Sequence, residues 1–172
     1  MTARRWKSKI TPMKPHAEVE QLLAIVDQAY NRPSWHGTNL RGAIRRVGMG
    51  QAAWRPAPDR HNIWELVVHA AYWKYAVWRR LTGGTRGTFP IAGSNWFRRP
   101  EAATETAWRA DRALLDDLHR LLGTAVAGLS PAELGRAPRG GRTTRFALVT
   151  GIAAHDLYHA GQIQLLKRLA SR

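Results

Sequence analysis

Four long stretches of this chain place apolar residues at helical spacing, and no stretch alternates convincingly as a strand does. Residues 16–31 carry Val19, Leu22, Leu23, Val26 and Ala29. Residues 62–82 carry Ile63, Leu66, Val67, Ala70, Trp73 and Val77. Residues 101–122 carry Trp108, Leu114, Leu115, Leu118 and Leu122, and residues 144–169 carry Phe146, Leu148, Val149, Ile152, Ile163, Leu166 and Leu169. Side chains recurring every three to four residues share one helix face, and that face is stable only when buried against another. Pro33, Gly83-Gly84, Pro131, Pro138 and Gly140-Gly141 fall between the stretches, where a chain must turn. A shorter amphipathic helix is expected near residues 39–47. The pattern predicts an all-α four-helix bundle over residues 16–172, preceded by a basic arm at residues 1–15 that Pro12 and Pro15 keep from continuing as helix.

The connection at residues 83–100 carries topological information. Adjacent antiparallel helices usually need only a few linking residues. A helix of about 20 residues is about 30 Å long, and about 18 extended residues reach about 60 Å. The second and third long helices can therefore run parallel, the linker crossing back over the bundle, with Pro90, Trp96 and Phe97 available to dock it. An antiparallel pair with an excursion loop is the alternative.

Composition narrows the chemistry. The chain has no cysteine, which excludes thiolate metal sites, disulfides and a cysteine nucleophile. Its net charge of +15 invites a nucleic-acid reading. Five of the 27 basic residues are lysine and the rest arginine, a bias that a GC-rich genome produces by codon usage alone. The charge is spread along both halves, with no basic-aromatic module or recognition helix, so only non-specific contact with nucleic acid is expected. Neither a leader peptide nor a membrane span is visible, and the expected location is cytoplasmic.

The segment His155-Asp156-Leu157-Tyr158-His159-Ala160-Gly161-Gln162-Ile163 is the most specific chemical feature. Two histidines four apart on a helix lie one turn apart on one face, near enough to share a metal ion. His69 stands on another strongly apolar helix. Two linked histidines plus one from a neighbouring helix make an open site for a divalent metal such as Zn, Ni or Fe. Without a metal, an inward-facing imidazole pair is costly. Gln162, one turn beyond His159, either orients a ligand or packs against a neighbour or dimer partner. Glu65, one turn before His69, is a candidate acid or base beside the metal, or else a surface salt bridge. His155-Asp156-x-x-His159 superficially imitates the metalloprotease pattern, but the aspartate is shorter and the third histidine lies upstream. Asp156 is expected to hold a neighbouring side chain or an arginine. His36 and His61 either line the site mouth or serve turns. His16 and His119 read as solvent-facing. Trp64, Trp73, Trp78 and Trp108 read as core, while Trp35, Trp54 and Trp96 are placed to wall a pocket.

His69 within Ile63-Trp64-Glu65-Leu66-Val67-Val68-His69-Ala70-Ala71-Tyr72-Trp73, taken with the His155–Ile163 segment, resembles the DinB-like superfamily. These are metal-dependent four-helix proteins that include bacillithiol S-transferases and mycothiol-dependent isomerases. The resemblance spans roughly residues 16–169, and Trp35-His36-Gly37 with Trp54-Arg55-Pro56-Ala57-Pro58 fits one branch of it. It implies His69, His155 and His159 as metal ligands at one end of the bundle, a long crossover between helices two and three, and a homodimer. It also implies a small-molecule substrate, with a low-molecular-weight thiol held as thiolate for attack on an electrophile, or a related hydrolysis. The contrasting expectation is a non-catalytic, stress-related or nucleic-acid-associated protein with a vestigial metal site.

Overall fold

The computed structural model describes residues 15–99 and 104–171. Among them there are helices and no strands: α1 (Ala17–Tyr30), α2 (Leu40–Ala43), α3 (Met49–Ala53), α4 (Ile63–Thr82), α5 (Glu105–Ala127), α6 (Pro131–Leu134) and α7 (Arg145–Leu169). The expected basic arm lies almost wholly outside the described residues. No helix among them is long and apolar enough to cross a membrane.

The four long helices α1, α4, α5 and α7 form the bundle, and residue pairings fix their directions. Trp64 near the start of α4 meets Trp108 and Asp111 near the start of α5, while Val77 shares a cluster with Leu122 and Val126 further along α5. Helices α4 and α5 therefore run parallel, and the crossover reading of residues 83–100 holds. His69 meets His155 and His159, whereas Val77 packs in one cluster with Leu148 and Val149, so α7 runs antiparallel to α4. Tyr30 bonds Asp116 and Asp27 faces His119, which sets α1 antiparallel to α5. The crossover docks through Phe97, which is buried against Phe89 and Tyr72, whereas Pro90 stays exposed.

Helix boundaries follow local chemistry. Asn62, Thr104 and Thr144 cap α4, α5 and α7 by accepting from the backbone N–H three residues on. Gly83, at φ 70, ends α4 in the left-handed turn that glycine adopts without steric cost. The helix expected at 39–47 is only Leu40–Ala43; the chain then turns through Arg46 at φ 63, and Met49–Ala53, expected to be connection, forms a second short helix. Helix α5 begins at Glu105 and runs through Gly123 to Ala127, because Val126 continues the buried face begun by Leu115 and Leu122. The first residues expected in it, 101–103, lie outside the described residues.

One expectation about a polar residue needs correction, and another is resolved. His119 is not solvent-facing: it is 5% exposed, stacks on Tyr30 at 4.0 Å and places Nε2 3.2 Å from Asp27. Its phase on α5, between Leu115 and Leu122, turns it inward. Of the two readings of Asp156, the neighbouring side chain holds rather than the arginine: it pairs with Lys74 of α4, and both side chains are fully buried.

Candidate metal centre

Three imidazoles from two helices converge between α4 and α7. His69 comes from the first half of α4 and is buried, His159 from α7 is buried, and His155, one turn earlier, is half-buried. Nε2 of His155 lies 3.1 Å from Nε2 of His69 and 3.1 Å from Nε2 of His159. The donor atoms of the trio all fall within 4.8 Å of one another.

Hydrogen bonding at the far side of two rings fixes which nitrogen carries the proton. Nδ1 of His69 donates to the backbone carbonyl of Asn95 at 2.8 Å. Nδ1 of His159 donates to Oε1 of Gln162 at 2.7 Å. Both rings, when neutral, then present an Nε2 lone pair to the centre. A proton on Nε2 of His155 can satisfy one of those lone pairs at a time, whereas a cation satisfies all three. Metal–nitrogen bonds of about 2.0–2.1 Å at tetrahedral angles set ligand nitrogens about 3.3 Å apart, close to the spacing found. These residues fit a divalent metal, with a coordination position left for water or substrate.

Burial keeps the trio uncharged. His69 is pushed down to about 4, chiefly by desolvation, with the neighbouring His159 adding to the effect. His155 is lowered to about 3 by burial and by the nearby His159, His69 and Lys74. His159 is lowered by burial, against the opposing pull of Gln162. Neutral imidazole is the metal-binding form, so the cluster is poised for a cation across the physiological range.

Gln162 is thus the outer partner of His159 rather than a packing residue facing away. Gln162→Leu is expected to lower metal affinity by about 10- to 100-fold while leaving helix content unchanged, as isothermal titration and circular dichroism would show. Gln162→Glu keeps an acceptor and should retain most of the affinity.

The surrounding wall comes mainly from the crossover. Asn95 sits at φ 61, a left-handed conformation that asparagine tolerates, and this turn serves two neighbours. Its carbonyl holds His69 and its side-chain oxygen accepts from Trp73 Nε1 at 3.0 Å. Trp96 stacks on His69 at 3.9 Å, and on its other face His61 stacks at 3.6 Å. Nδ1 of His61 lies 2.8 Å from Glu65, whose carboxylate also takes a two-pronged contact from Arg55. Burial alone would raise the Glu65 carboxyl, but the hydrogen bonds from Arg55 and His61 bring it below its ordinary value. Glu65 therefore stays ionised and reaches the histidines only through His61 and Trp96.

The remaining candidates fall outside the cluster. Trp35 does not wall the site: it is 95% exposed on the loop before α2, because no described element packs over that loop. His36 is exposed beside Ser34, His16 is exposed before α1, and Trp54 packs against the core around α2–α4. Trp64 and Trp108 are core, as their helical phase implies, and Trp78 packs against it, whereas Trp73 is half-buried beside His69 and His155. Asn95, Arg55 and Lys74 carry no sequence signal for the site.

Residues 34–163 match the DinB superfamily. No curated protein and no solved structure matches the chain.

Proposed function

The chain belongs to the DinB superfamily, and from that premise we propose that His69, His155 and His159 hold a divalent ion, Zn, Ni or Fe, at which a small thiol is transferred or a related hydrolysis occurs. The observation that carries this reading is the convergence of three Nε2 atoms while the Nδ1 protons of His69 and His159 are committed elsewhere. A bound divalent ion supplies Lewis acidity, lowering the pKa of water or a thiol that reaches it.

The protein's own groups favour the thiol. Glu65 is held by Arg55 and His61, and Asp156 is fully buried against Lys74, so neither of these neighbouring carboxylates is placed to take a proton from a ligand at the histidines. A thiol, with an ordinary pKa of about 8.5, needs less help from a base than water does. The chain has no cysteine, so the thiol arrives with a cosubstrate. Trp96 shields one face of His69 from water, and the His61–Glu65–Arg55 chain holds Trp96 in place. Trp73 stands at the other side of the cluster.

Cobalt-loaded protein titrated with a panel of small thiols, beginning with cysteine and glutathione, tests this. A new near-ultraviolet absorption on adding a thiol, absent from His155→Ala, is the expected result. Stoichiometric cobalt with no spectral response to any thiol would sink thiol transfer and leave the metal assignment standing.

A homodimer is proposed on a separate observation. The outward positions of α7 at 147, 151, 154, 158, 161 and 165 recur at the spacing of a coiled-coil seam and read Ala, Gly, Ala, Tyr, Gly, Leu. Tyr158 is 64% and Leu165 58% exposed, so α7 presents apolar surface on the side away from the core as well as toward it. A second copy of the same helix, related by two-fold symmetry, is the occupant proposed. Leu165→Glu should convert a dimer to a folded monomer in light scattering; wild type already monomeric would exclude this interface. Contact with nucleic acid is proposed only as non-specific.

A further inference from the structure

Far along α4 from the histidines, a group of cations stands without acidic partners. Arg79 and Arg80 occupy the last turn of α4, and Arg86 follows in the crossover. Arg139 and Arg142 face them from the loop between α6 and α7. These five arginines line one cavity of about 420 Å³. No acidic side chain lines it, and none of the five has an ion-pair partner among the described residues.

Net charge contributes, since Arg45, Arg46 and Arg112 also lack a carboxylate partner among the described residues, but here five guanidinium groups line one cavity and an aromatic-walled one adjoins it. Elsewhere Arg41, Arg55, Arg60, Arg99, Arg109 and Arg120 each lie beside a carboxylate. The negative end of the α4 dipole favours Arg79 and Arg80, but it gives no reason for three more arginines across the gap. The facing wall is also fixed. Arg145 donates from its backbone N–H and from Nη1 to the carbonyl of Arg136, at 3.0 and 3.2 Å, closing the loop. Within it Gly141 N–H donates to the Pro138 carbonyl at 2.9 Å, and Gly140 makes the turn at φ 74.

A second cavity of about 390 Å³ adjoins the first and shares Arg79, Arg80 and Arg86. Its other walls include Tyr72, Trp73, Tyr75 and Phe89, so aromatic surface continues directly from the cationic end. Guanidinium forks match the oxygens of phosphate or carboxylate, and aromatic walls match an apolar body.

We propose that these joined cavities bind a small organic oxyanion, its phosphate or carboxylate head among the arginines and its aromatic or apolar body beneath the crossover. The site goes beyond the metal reading and does not depend on it.

The test is calorimetric titration of the full chain with inorganic phosphate, phenyl phosphate and benzoate. Saturable binding of at least one organic anion is expected, with phenyl phosphate or benzoate tighter than inorganic phosphate; their order names the head group. Arg80→Ala with Arg142→Ala should weaken binding about tenfold or more, as loss of charged hydrogen bonds implies. Phe89→Ala should remove only the advantage of the organic anions. Arg45→Ala with Arg46→Ala, a basic pair in another part of the fold, should change nothing, and His155→Ala should lose metal while keeping the anion. Equal weakening by the two arginine pairs would reduce the effect to diffuse charge and overturn the proposal. So would no saturable binding of any of the three, or binding only of single-stranded DNA with steep salt dependence.

Discussion

Replacement of His155 by alanine is expected to reduce bound divalent metal from a full equivalent to trace, measured by elemental analysis of purified protein. His155 is the pivot of the cluster, its Nε2 lying 3.1 Å from each of the other two. Its removal leaves His69 and His159 without the atom that links them. An outer hydrogen-bond partner is worth about 10- to 100-fold in affinity, so a direct ligand should cost more than about a hundredfold. His69→Ala and His159→Ala should behave alike, and full metal in all three variants would show the assignment to be wrong. The pH profile adds an independent signature. Metal competes with protons for the imidazoles, and burial places His69 near 4 and His155 near 3, with His159 also lowered. Metal uptake should thus hold from neutral pH to about 5 and fail only as pH approaches about 4, well below an ordinary histidine site. In metal-free protein the same shifts act on stability. The unfolded histidines bind protons below about 6.5 while the folded ones do not, so stability falls as pH drops from about 6.5 toward these folded values. His119, pushed down to about 3 by burial, acts in the same direction. Asp156, raised to about 6 by burial, has the opposite sign: its contribution is present at low pH and is lost as pH rises through about 6. One aspartate offsets only part of the histidine effect, so melting temperature should fall on acidification from pH 6.5 to 4.5.

The sequence makes the bundle legible because burial on one face leaves a periodic trace. The pairs Leu115–Leu122 and Ile152–Ile163 announce the core before any contact is known, and the length of residues 83–100 announces the crossover. The three clustered histidines were readable for a similar reason, since His155 and His159 occupy one face by spacing alone and His69 sits in an apolar helix. Their supports were readable only in part: Trp96 and His61 were candidates for the wall and mouth of the site, but Asn95 comes from irregular backbone whose path periodicity does not determine. His119 shows a different limit. Judged by residue type it belongs at the surface, but the phase set by Leu115 and Leu122 carries it inward. The expected third long helix ends at residue 122, just before Gly123, where glycine costs about 1 kcal/mol relative to alanine. The burial of Val126 and Leu129 beyond it outweighs that cost. The short helix ends at Ala43, and Arg46 in the turn after it adopts a left-handed conformation that no propensity assigns to arginine.

Lys74→Met is expected to destabilise the protein by about 3–5 kcal/mol, because it strands Asp156 as an uncompensated charge in the core. In a domain of this size that lowers the melting temperature by about 10 °C or more, as thermal denaturation followed by circular dichroism would report. Both side chains are fully buried, and Oδ1 of Asp156 has no hydrogen-bond partner among the described residues, so Lys74 carries most of the compensation. The lysine also lies over the Tyr30 ring at 4.6 Å. Tyr30 in turn donates to Asp116 at 2.5 Å and stacks on His119, which extends a polar layer from α7 through α4 and α1 to α5. Removing one partner and removing both should differ sharply. Lys74→Met combined with Asp156→Leu exchanges two buried charges for apolar groups of similar length, and should recover most of the loss or exceed wild-type stability. A double variant as unstable as Lys74→Met would show that packing, not the stranded charge, sets the cost. Metal content then separates stability from function. Asp156 adjoins His155 on α7, so a stable double variant with wild-type metal affinity would assign the pair to the fold. One that folds but binds metal weakly would assign the pair to holding the α7 turn that aims His155 at His69.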